Sequence, residues 1–181
     1  MRKQKGFSLI ELLIVVAIIL IIAAIAIPNL LRSKMSAADS AAASTLRTLN
    51  TAQVTYATAF PALGYADTFT KLGPNANTCD STAYCLIDNV LASTPTGPTP
   101  KGGYQYYLAP GPATAAGQFT DYAFSADPQN LNTTGTNVYC TTSDAVIRSQ
   151  RDAGVVPQTL ANTPESIAKC QTIASYAPLK N

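Results

Sequence analysis

From Leu12 to Leu31 the chain runs for 20 residues without a charged side chain, inside a longer apolar stretch from Phe7 to Leu31, FSLIELLIVVAIILIIAAIAIPNLL. At about 1.5 Å per residue, a helix of that length covers ~30 Å, the thickness of a bilayer's hydrocarbon layer. The segment is long enough to cross a membrane. Arg2, Lys3 and Lys5 precede it, and no further basic residue appears until Arg32. By the positive-inside rule the N-terminus stays cytoplasmic and the bulk of the chain is exported.

Export fits the rest of the composition. Four cysteines, Cys79, Cys85, Cys140 and Cys170, form no CxxC pair, which suits two disulfides in an oxidising compartment better than a thiolate metal site. They allow three pairings, of which local pairing, Cys79 with Cys85 and Cys140 with Cys170, is the simplest. Histidine is absent, which removes the commonest general base and metal ligand together with every Ser/His or Cys/His nucleophile. Asp121, Asp127 and Asp144 flank predicted strands, but each fits a turn or an exposed strand position. The segment ADPQNLNTTGTN around Asp127 is rich in oxygen ligands yet lacks the spacing of a calcium loop. No catalytic residue, metal site or cofactor is expected. Nor does a net charge of +2, without a basic run beyond the N-terminus, suggest a nucleic-acid partner.

After the apolar stretch, Arg32 to Phe60 contains neither Gly nor Pro. Ala42, Leu46, Leu49, Gln53, Tyr56 and Phe60 recur at three- and four-residue spacing, which predicts an amphipathic helix. Residues 61–102 read as an irregular connector holding one short helix, Cys85 to Leu91. Residues 103–181 read as four antiparallel strands, Gly103–Ala109, Gln118–Ala126, Val138–Thr141 and Ala145–Ser149, followed by a loop-rich tail. In the tail, Thr163-Pro164-Glu165 looks like the start of a short helix. The fold class is α+β: a long helix packed on a four-stranded antiparallel sheet.

An ordinary secretory signal explains the first 30 residues poorly, because the apolar run exceeds its usual 7 to 15 residues and Glu11 interrupts it. A plain signal anchor gives no reason for Glu11 either. The string KGFSLIELLIVVAIILIIAAIAIP instead resembles the signal of type IV prepilins and of type II secretion pseudopilins. The resemblance rests on Lys5-Gly6, Phe7, Ser8-Leu9-Ile10, Glu11 at the fifth position after Gly6, and Pro28 within the apolar helix.

That resemblance implies residues 1–6 as a leader and residues 7–31 as a transmembrane and filament-core helix, with residues 32–60 as its amphipathic half. A prepilin peptidase would cut between Gly6 and Phe7 and N-methylate Phe7. Glu11 would pair with a neighbour's Phe7 amine during assembly, Pro28 would kink or locally loosen the helix, and the late cysteines would form a C-terminal loop. The implied protein is a structural pilus subunit, not an enzyme. Its partners would be membrane lipid, copies of itself, minor pilins and an inner-membrane assembly platform. The chain would wait in the inner membrane, with its C-terminal domain periplasmic, and move to a surface pilus. A pseudopilin of a secretion system and a single-span anchored enzyme or binding protein are the alternatives.

Overall fold

The computed structural model describes residues 7–74, 84–151, 168, 170–171 and 177–179. Its contacts divide the chain into two units, Met1–Lys34 and Met35–Asn181. Helix α1, Leu9–Ala59, contributes to both.

In the first unit the helix has no tertiary core. Not one residue of its most apolar stretch is buried, and α1 is long and apolar enough to cross a membrane. In the second unit the same helix turns one face inward through Asp39, Ala42, Ala43, Leu46, Leu49, Asn50, Ala52, Gln53 and Tyr56. This is the predicted periodicity, with Phe60 half-buried at its end. Burying Leu46 and Leu49 completely removes each from water at a gain of roughly 1.5–3 kcal/mol.

The face meets an antiparallel meander of strands in chain order: β1 (Thr99–Lys101), β2 (Tyr104–Pro110), β3 (Tyr122–Pro128), β4 (Asn137–Thr142), β5 (Arg148–Arg151) and β6 (Ala177–Pro178). Alternation aims Tyr104, Tyr106 and Leu108 of β2, and Tyr122, Phe124 and Ala126 of β3, into the core shared with α1. Among the described residues the expected four strands are corrected to six. Pro100 hid β1, because proline fits only an edge strand, and β6 is two residues long. The strand expected at Gln118–Ala126 begins at Tyr122, since Phe119 bonds instead to the chain after α1: its N–H donates to the Leu63 carbonyl, and the Tyr65 N–H donates to its own. Gly64 makes this approach possible. Its φ is +73°, and a Cβ there would lie 2.1 Å from the Phe119 oxygen.

The connector is also more ordered than expected. It holds helix α2 (Phe69–Leu72) and a 3-10 turn at Leu91–Ser93. The helix expected at Cys85–Leu91 does not form. Cys85 takes φ +47°, and the Leu86 and Ile87 N–H groups donate to the Leu72 carbonyl rather than to a helical ladder. The chain there is spent on docking Ile87 and Leu91 into the core. The helix expected from Thr163 lies outside the described residues.

Candidate functional site

The signal residues gather at the start of α1. Ser8 is the last residue before the helix, and its backbone N–H donates to Glu11 Oε2 at 2.9 Å. This is the returning half of a capping box, in which an acid at the third helical position satisfies an amide the helix cannot. The spacing Ser8-x-x-Glu11 is the readable signal for the cap; attention to charge alone passes over it. Glu11 therefore has a local capping role. Phe7 stands exposed just outside the helix, and Gly6 lies outside the described residues.

Downstream, large aliphatic side chains point outward on every side of the helix, from Leu9 at 78% exposure to Leu30 at 69%. A soluble helix hides one face, whereas a helix apolar all round belongs in lipid or in a core built from other chains. Pro28 sits inside α1 without ending it. It supplies no N–H to the Ala24 carbonyl, so the ladder lacks one bond there.

The cysteines belong to the other unit. Cys140 on β4 is bonded to Cys170, with an S–S distance of 2.06 Å and a Cα–Cα distance of 5.9 Å. Both are buried with Val138 on the sheet face away from α1. Cys85 is also disulfide-bonded; the expected pairing with Cys79 lies, at Cys79, outside the described residues.

Three polar residues on the buried face of α1 tie it to the sheet and to the chain that follows the helix, and the periodicity singled out only Gln53. The Gln53 side chain mimics a strand partner for Ala66, accepting its N–H at 2.8 Å and donating to its carbonyl at 2.9 Å. Asn50 donates to Thr141 Oγ1 at 2.9 Å and accepts from the Tyr122 hydroxyl at 3.2 Å. Asp39 accepts from the Tyr104 hydroxyl, the Thr136 N–H at 3.0 Å, the Thr136 hydroxyl at 2.7 Å and Asn137 Nδ2 at 2.8 Å. Gly135 makes room for this cluster, since a Cβ there would lie 2.3 Å from the Tyr104 hydroxyl. Burial, and then the hydrogen bond to Asp39, hold the Tyr104 phenol well above its ordinary range.

Two of the candidate carboxylates have local partners. Asp144 forms an ion pair with Arg148 at 2.6 Å. Burial alone would raise its pKa, but hydrogen bonds from Arg148, the Val146 N–H and the Thr142 hydroxyl outweigh it and lower the value. Asp121 accepts the Tyr122 N–H at 2.7 Å. Asp127 is buried on β3. Among the described residues, no three metal-binding side chains cluster.

The family described as the prokaryotic N-terminal methylation motif matches residues 1–27. Over 40 residues the chain is 62% identical to the type IV wide pilus major component PilA4 of Thermus thermophilus, a match covering 22% of this chain and 30% of that protein. Over 54 residues it is 50% identical to the type IV major pilin protein PilA of Myxococcus xanthus, covering 30% of this chain and 24% of that protein. The chain thus carries the N-terminal methylation motif and is similar to type IV pilins over a short segment. In each case the match spans less than a third of the relative's length. No solved structure gives a significant match. The motif match falls on the start of the bare apolar helix.

Proposed function

We propose that this chain is a type IV pilin, a structural subunit of a type IV pilus-like filament. A prepilin peptidase cuts it after Gly6 and methylates Phe7, and the inner membrane holds it by Leu12–Leu31 until assembly. The observation that carries this reading is an apolar helix with no face buried in its own chain, opened by one carboxylate five residues after Gly6. Lipid covers that helix before assembly, and the helices of other copies cover it afterwards. The freed Phe7 amine then offers a positive charge to a neighbour's Glu11, and a low-dielectric surround strengthens such a pair. The two relatives are named as a type IV wide pilus major component and a type IV major pilin protein, which favours a pilus over a secretion pseudopilus.

Mass spectrometry of the chain from cells that have the peptidase tests the first step. A mature N-terminus at methylated Phe7 is expected, and replacing Gly6 by a bulky residue should leave uncut precursor in the membrane. An intact Met1, or a start at Ile27, would overturn the proposal.

A further inference from the structure

Three parts of the second unit line one cleft of about 310 Å³. Its described walls are Arg47 of α1, the residues Ala145, Val146 and Ile147 between β4 and β5, and Leu179 just after β6. Ile147 belongs to the main core and Leu179 packs against it, so part of the lining is continuous with the protein interior. These walls are held in place. Ala145 takes φ +56° in a turn that its own N–H closes on the Thr142 carbonyl at 2.9 Å. Asp144 braces that turn by accepting from the Thr142 hydroxyl at 2.9 Å and from the Val146 N–H at 3.0 Å. The Leu179 N–H donates to the Ile147 carbonyl at 3.0 Å, which fixes the third wall.

Charge is distributed unevenly around this cleft. Arg148, next in sequence to Ile147, is ion-paired with Asp144, as Lys71 is with Asp67 and Lys101 with Asp88. Among the described residues no carboxylate pairs with Arg47. A guanidinium presents its N–H donors in a planar fork that matches a carboxylate bidentately. On an open surface water and salt leave such a pair little net gain, but four aliphatic residues flank this one and exclude part of the solvent that would screen it. A small concave site with apolar walls and one placed polar group is the ordinary form of a pocket for a small molecule.

We propose that this cleft binds a small organic anion, a carboxylate on a short aliphatic tail. Arg47 takes the carboxylate, and Ala145, Val146, Ile147 and Leu179 take the tail. Neither part of the ligand suffices alone: a tail-less anion leaves the aliphatic walls in water, and a neutral tail leaves the Arg47 charge uncompensated. The site lies within the second unit and does not depend on what the filament does.

Methyl NMR of the full-length chain in lipid nanodiscs, titrated with hexanoate, tests it at the site itself. The methyl signals of Ala145, Val146, Ile147 and Leu179 should shift together and saturate, with a Kd below ~5 mM. Acetate, which lacks the tail, and hexanol, which lacks the charge, should each bind at least ~5-fold more weakly. Arg47 is exposed and glutamine is a good helix former, so Arg47→Gln should keep the fold, with the Leu49 and Leu108 methyl signals unmoved. It should weaken hexanoate binding at least ~5-fold. Absence of saturation at the four residues, a Kd above that limit, or any of the three ratios below ~5-fold overturns the proposal.

Discussion

The two halves of α1 obey opposite rules within one helix. Between Leu9 and Lys34 the side chains are large, aliphatic and exposed; between Met35 and Ala59 they are small and hydroxyl-rich, with one buried face. Only the second half contributes to a core in this chain. Fold stability therefore depends on the second half, while the first half meets no constraint from this chain's own core. Substitutions in the two halves should fail in different assays.

The largest effect is expected at Glu11. Glu11→Gln keeps an acceptor for the Ser8 N–H, since glutamine serves in a capping box as glutamate does, but it cannot neutralise an amine. Breaking a buried pair costs about 3–5 kcal/mol. Filament yield from cells making only this variant should fall at least ~10-fold, with normal cleavage and an unchanged sheet unit. Normal yield would show that apolar packing alone sets the register.

Leu46→Ala should reverse the pattern, lowering unfolding stability by about 2–5 kcal/mol in a urea titration of the full chain in detergent. Ile19→Ala, equally apolar but exposed, should leave the same titration unchanged. Similar losses in both would erase the distinction between the halves. Replacing Cys140 and Cys170 together by serine opens a loop whose ends lie 30 positions apart and should cost about 2–4 kcal/mol. No loss would show that the sheet holds the tail without the bond.

The smallest effect concerns pH. Because the folded state lowers the pKa of Asp144, its contribution is complete above the unfolded value of about 3.9 and disappears as pH falls through the folded one. Asp144→Asn should cost under about 1 kcal/mol near pH 7, and its difference from wild type should close below about pH 4. A difference constant with pH would assign the loss to packing.

Much of this was legible in the residues. The apolar run and the spacing of Ala42, Leu46, Leu49, Gln53 and Tyr56 forecast both halves of α1, because a helix advertises its environment locally. Alternation gave the inward residues of β2 and β3 for the same reason. Asp39 and Asn50 were not legible: a polar residue on a helix reads as solvent-facing unless its partners are known, and these partners lie 65 to 98 residues away. Of the candidate site, the signal residues were plain, whereas the Ser8 cap was masked by attention to the charge of Glu11. The short strands β1 and β6 escaped because they owe their pairing to neighbours rather than to their own sequence.

Those two strands also say something about crowding. A sheet ends in unpaired backbone groups that invite another chain to add on. Here the outermost described strands are three and two residues long, and each contains a proline, Pro100 in β1 and Pro178 in β6. Lys101 adds a charge to the first. Neither rim offers a stretch long enough to template amyloid-like growth, so stray association through the sheets is discouraged.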